Sequence, residues 1–78
     1  MTREQCRAAR ALLDWNQAQL AEAAQVARQT VVDFERGART PYRNNLNAIR
    51  AACESAGVEF ITENGGGPGV RLRKRGKR

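Results

Sequence analysis

Four side chains with different hydrogen-bonding chemistry lie close together in the middle of this chain: Arg28, Gln29, Thr30 and Asp33. A guanidinium donates only, an ionised carboxylate accepts only, and a carboxamide or hydroxyl does both. At helical spacing these four fall opposite Val31 and Phe34, so one polar face is set against one apolar face. Covalent chemistry has far less to work with. The chain contains no histidine, so the commonest general base and metal ligand is missing. Cys6 and Cys53 are widely separated and form no CxxC, which suits two reduced thiols in a core rather than a bridge or a metal site. No Ser/His or Cys/His nucleophile pair can be assembled. The expectation is a protein without catalytic residues, metal, cofactor or small-molecule substrate.

The polar face needs elements to hold it, and the chain supplies short helices. Thr2 and Gln5 have capping-box spacing at the start of a first helix from about Arg3 to Leu13, with Cys6, Ala9 and Leu13 on one side. Asn16 caps a second, from about Gln17 to Ala24, in which Leu20, Ala21 and Ala24 are apolar. Val31, Val32 and Phe34 mark a third, stopped by Gly37. A fourth opens at Tyr42 or Arg43 after Pro41, carries Leu46, Ile49, Ala52 and Cys53 on one side, and stops at Gly57. Beyond it Val58, Phe60 and Thr62 alternate with Glu59, Ile61 and Glu63, and Val70 to Arg73 alternate again after a Gly-rich turn. A hairpin fits, as does a frayed glycine-rich tail. A lone hairpin is marginal in water and must pack on the helices or on another subunit.

Arg10, Asn16-Gln17, Leu20-Ala21, Val26, Thr30-Val31, Glu35-Arg36-Gly37, Thr40-Pro41, Leu46 and Ile49 follow one another at a distinctive spacing. In this the chain resembles the lambda-repressor-like (Cro-type, XRE) helix-turn-helix family from Cys6 to about Val58. The resemblance implies a mainly α fold: a compact four-helix helix-turn-helix domain over 1–57. A strand or hairpin extension over 58–73 and a basic tail over 74–78 complete the expected organisation. It also implies a DNA-binding regulator whose third helix enters the major groove.

On that reading Arg28, Gln29, Thr30 and Asp33 contact bases. Arg suits guanine O6/N7, Gln suits adenine N6/N7, the Thr methyl suits thymine, and Asp accepts from cytosine N4 or instead orients Gln29 one turn earlier. Gln17, Arg39, Thr40, Arg43 and Asn44 are the expected phosphate contacts, setting register without reading sequence. Arg10 and Glu35 match the family's structural ion pair. Two positions depart from the pattern. Gln25 stands where the family has the turn glycine, and Ala27 where it has the capping serine or threonine. A non-glycine residue in a left-handed turn costs ~1–2 kcal/mol, and a lost cap ~1 kcal/mol. Either the corner is remodelled, or Thr30 or a phosphate satisfies the free amides.

The net charge of +6 sits entirely after residue 69, because the eight basic and eight acidic residues before it cancel. That basic end suits either a solvated tail or a polyanion contact. No run approaches the ~18 apolar residues of a membrane span, and Arg3, Glu4, Arg7 and Arg10 interrupt any signal-like segment, so the expected location is cytoplasmic. One recognition helix reads only a few base pairs, so a homodimer on a palindromic double-stranded DNA operator is expected. Val58, Phe60, Ile61, Val70 and Leu72 are the expected dimerisation residues, since they would be unusually exposed on a monomer. The C-terminal run is similar to the ends of small proteobacterial regulators, some carried on mobile elements. The functional expectation is a repressor acting by occlusion, autoregulatory, and controlled by concentration, competing operators or a regulatory protein partner. The alternative is an antitoxin or antiactivator working mainly through such a partner.

Overall fold

The computed structural model describes residues 1–63 and 65–73; the expected basic tail, 74–78, lies outside the described residues. Four helices and one hairpin follow in order: α1 (Arg3–Leu13), α2 (Gln17–Ala24), α3 (Arg28–Glu35), α4 (Arg43–Ser55), β1 (Val58–Ile61) and β2 (Gly69–Leu72).

Local capping chemistry sets the helix boundaries. At α1 the Thr2 hydroxyl accepts from the Gln5 amide at 3.0 Å, while the Gln5 side chain accepts from the Thr2 amide at 2.8 Å. Asn16 and Gln19 form the same reciprocal pair at α2, both bonds 2.8 Å. Each pair satisfies two amides that a helix start leaves open. The corner between α2 and α3 has the conformation that the Gln25 substitution implies: Gln25 is left-handed at φ 57° and ψ 44°. The Val26 amide then reaches back to the Ala21 carbonyl at 3.0 Å, closing the end of α2. Ala27 opens α3 without a side-chain cap. Thr30 does not replace it by its hydroxyl; its backbone amide bonds the Ala27 carbonyl at 3.0 Å. The corner closes with a non-glycine residue in the left-handed region and carries that strain.

The core is aliphatic with two thiols. Leu20, Ile49, Val31, Val58, Cys6 and Cys53 are fully buried, and Ala9, Ala21 and Ala24 let the helices approach closely. Cys6 and Cys53 are free thiols. Burial pushes Cys53 up to about 11.

β1 and β2 pair antiparallel with Val58 opposite Leu72 and Phe60 opposite Val70, and the hairpin packs against α1 and α4. This corrects one expected dimerisation residue. Val58 is 0% exposed, inside the chain's own helical core, and is unavailable to a partner. Its burial stabilises the docked hairpin by about 1.5–3 kcal/mol. Phe60 and Val70 also pack on the core, with Arg50 stacked over the Phe60 ring at 5.3 Å. Ile61 is half-buried and Leu72 is 51% exposed.

The docking depends on Gln5. While its oxygen serves the α1 cap, its Nε2 donates to the Ile61 carbonyl at 3.1 Å and the Gly69 carbonyl at 2.9 Å. One buried side chain therefore ties the start of α1 to both strands.

Candidate nucleic-acid interface

Amphipathicity places α3. Val31, Phe34 and Glu35 turn inward and are buried, leaving Arg28 and Gln29 exposed and Thr30 and Asp33 half-buried on the outer side. Glu35, 3% exposed, holds the helix to the rest of the domain. Its carboxylate accepts from Arg10 Nε and Nη2, both at 2.7 Å, from Cys6 Sγ at 3.1 Å and from Gln17 Nε2 at 3.1 Å. Arg10 also donates to the Trp15 carbonyl at 3.1 Å, and Arg7 donates to the Glu35 carbonyl at 2.6 Å. Burial by itself pushes the Glu35 carboxyl up. The bonds from Arg10, Cys6 and Gln17 more than reverse this and hold it below its ordinary value. The ionised pair thus links α1, the α1–α2 connection and α3.

Asp33 stands on the outer side. Its Oδ1 accepts from Gln29 Nε2 at 2.8 Å and from Arg36 Nε and Nη2 at 3.3 and 3.2 Å. The bond from Gln29, together with those from Arg36, holds this carboxyl below its ordinary value.

The residues expected to contact DNA fall into three places. Gln29, Thr30 and Asp33 share a groove of about 590 Å³ with Arg39 and Thr40. Gln17 and Arg28 line a second cleft with Arg10 and Asn16, at the adjacent starts of α2 and α3. Gln17 has one amide hydrogen committed to Glu35, which leaves its second hydrogen and its oxygen for an outside group. Arg43 and Asn44 line neither groove; both are exposed on the first turn of α4. Three further residues join this surface without having been picked out from the sequence: Tyr42 and Asn45 in the first groove, and Arg36 on Asp33. Tyr42 is 83% exposed, and an aromatic ring directly after Pro41 was its one sequence signal.

Two short helices meeting at a closed corner, the second with a buried inner stripe and a polar outer face, define a helix-turn-helix DNA-binding domain. The helix-turn-helix family model matches residues 7–55, and the chain belongs to that family, as a lambda-repressor-like (XRE) DNA-binding transcriptional regulator. A search of curated proteins found no match. The family is a DNA-binding regulatory one rather than an enzymatic one. Among the described residues no helix is long and apolar enough to cross a membrane.

Proposed function

We propose that the protein is a sequence-specific repressor that binds a palindromic operator as a homodimer and acts by occlusion, its own promoter included. The observation that carries this reading is the division of labour on α3: Glu35 is locked inward by Arg10, while Arg28, Gln29, Thr30 and Asp33 face outward. Arg28 and Gln29 stand ready for base edges, with Thr30 and Asp33 beside them. Gln17, Arg39, Thr40, Arg43 and Asn44 flank them as phosphate contacts. The homodimer rests on Ile61 and Leu72, with Phe60 and Val70 contributing their uncovered edges. Among the described residues the two-stranded hairpin also leaves each outer strand edge without a strand partner.

A mobility-shift titration against the protein's own promoter, at several salt concentrations, tests the proposal. Arg39 and Arg43 on two protomers neutralise about four phosphates, so log affinity falls with log salt at a slope of about −4 or steeper. Arg28→Ala removes the preference for operator over competitor DNA; Arg43→Ala weakens both alike. A footprint spanning two half-sites ~34 Å apart accompanies binding. Equal affinity for promoter and bulk DNA refutes sequence-specific regulation, and a footprint of one half-site refutes the dimer.

A further inference from the structure

The Asp33–Gln29–Arg36 cluster carries more information than a solvated helix face. An ionised carboxylate can only accept, so the amide end that faces Asp33 must be the NH₂ end of Gln29. This settles which way the carboxamide points: its oxygen is directed away from Asp33. Among the described residues no hydrogen bond uses that Gln29 oxygen, and every bond to the Asp33 carboxylate goes to Oδ1, leaving Oδ2 unused. Arg36 is the C-cap of α3, one turn beyond Asp33, and shares Oδ1 with Gln29, so both partners of the carboxylate hold the same oxygen. The carboxylate is ionised at neutral pH, since Gln29 and Arg36 together hold it below its ordinary value.

Resting on the DNA-reading role proposed above, we infer that Gln29 Oε1 and Asp33 Oδ2 act as one composite acceptor that selects a base presenting an exocyclic amino group in the major groove. Adenine N6 and cytosine N4 are the two such donors, and they share this chemistry. Guanine O6 and thymine O4 present lone pairs to the same site and are repelled by the carboxylate. Arg28, one residue before Gln29, is donor-only and asks for the opposite pattern, a guanine edge. The outer face of α3 thus carries a donor at its first residue and an acceptor pair at its second and sixth, a polarity that one strand of the half-site must match. Arg36 touches no base in this arrangement. It is a positioning residue, acting through Asp33 Oδ1.

The test is selection of bound duplexes from a randomised library by the full 78-residue chain, followed by sequencing. The wild-type protein enriches a motif with adenine or cytosine at one half-site position, and the identity enriched there says which amino group is read. Asp33→Ala flattens that position by about tenfold, the value of one good base contact, while the rest of the motif persists. Asp33→Asn, which keeps the shape and adds a donor, moves the same position toward guanine or thymine. Arg36→Met weakens the preference at this position alone, beyond any uniform loss from its charge. As a chemical check, replacing the preferred adenine by purine, or cytosine by 2-pyrimidinone, removes the amino group. The wild-type protein then loses about tenfold in affinity, and Asp33→Ala, which keeps only the Gln29 oxygen as acceptor, loses less. Circular dichroism establishes that each variant is folded. An enriched motif that Asp33 substitutions leave unchanged, or a keto base at the position they relax, overturns this inference alone. The absence of any enriched motif overturns the DNA-reading role itself.

Discussion

Removing Arg10 while leaving Glu35 in place is the sharpest perturbation available. In Arg10→Met the carboxylate of Glu35, 3% exposed, keeps only Cys6 and Gln17 as donors and loses both 2.7 Å bonds to the guanidinium. Breaking a buried pair from one side costs about 3–5 kcal/mol, because the remaining charge stays buried. Arg10 itself is 20% exposed, so the lower end, about 3 kcal/mol, applies. Domains are stable by about 0.05–0.15 kcal/mol per residue, so for a chain of this size that is a quarter or more of the total. Thermal midpoints fall by about 12–24 °C. Glu35→Leu alone costs less, about 1–2 kcal/mol, since the stranded guanidinium can turn to water. The double variant Arg10→Met/Glu35→Leu replaces the pair with apolar groups and is more stable than Arg10→Met alone, a coupling of about 2 kcal/mol. The pH dependence carries the same logic with a change of sign. In the wild type the folded carboxyl titrates below its ordinary value of 4.5, so its contribution is complete above that pH and is lost as pH falls through the folded value. In Arg10→Met burial dominates, the folded carboxyl titrates above the ordinary range, and the deficit shrinks as acid protonates it. Urea unfolding followed by circular dichroism from pH 7 down to about pH 3 reads both effects. Additive single and double variants, or an Arg10→Met deficit that does not change with pH, would refute the reasoning.

Two further variants address the rest of the framework. Gln25→Gly, at φ 57°, relieves a left-handed cost of ~1–2 kcal/mol, part of which the greater freedom of unfolded glycine takes back. The urea midpoint therefore rises by an amount equivalent to about 1 kcal/mol, and Ala27→Ser adds a similar increment by capping α3; a fall in either midpoint contradicts the strained-corner description. Gln5→Ala removes a cap bond and both carbonyl bonds to the hairpin, costing about 2–3 kcal/mol. By hydrogen exchange the amides of 58–61 and 69–72 lose protection before those of the helices, and equal loss everywhere shows that Gln5 does not hold the hairpin.

The parts of the molecule legible in the sequence are those decided by neighbours a few residues apart. Thr2 with Gln5, Asn16 before Gln17, and Gly37 and Gly57 past the ends of α3 and α4 mark helix boundaries through bonds and dihedrals within one turn. The bond from Gln29 to Asp33 is equally local, one helical turn, and belongs to the same readable class. What the sequence conceals is the second use of a residue whose first use is already satisfied. Gln5 reads completely as a capping residue, yet its other end reaches Ile61 and Gly69, far along the chain. Gln17 reads as an outward-facing helix start, yet one of its hydrogens goes to Glu35. A carboxamide has donors and an acceptor at one tip, and only tertiary packing decides where the unused ones go.

Val58 shows why the hairpin was harder to place than the helices. Alternation tells which residues of a strand share a face, but it is silent on what covers that face. Two covers were open, the chain's own helices or a second copy. The difference lies in Gly57, whose φ of 114° is open to glycine and strained for any other residue. That dihedral turns the chain sharply after α4, so β1 runs back along the bundle and Val58 enters the gap between α1 and α4. Once Val58 is inside, the paired register carries Phe60 and Val70 onto the same side, and these follow it onto the core. Ile61 alternates to the opposite face, and Leu72, although paired with Val58, lies beyond the cover that the helices provide. The apolar surface that the hairpin leaves for a partner is therefore confined to Ile61, Leu72 and the edges of Phe60 and Val70. A surface that small needs help from the backbone. A dimer through this hairpin must draw its stability from strand-edge hydrogen bonds as well as from buried area, and it will break when an edge amide is removed by proline as readily as when Leu72 is made polar.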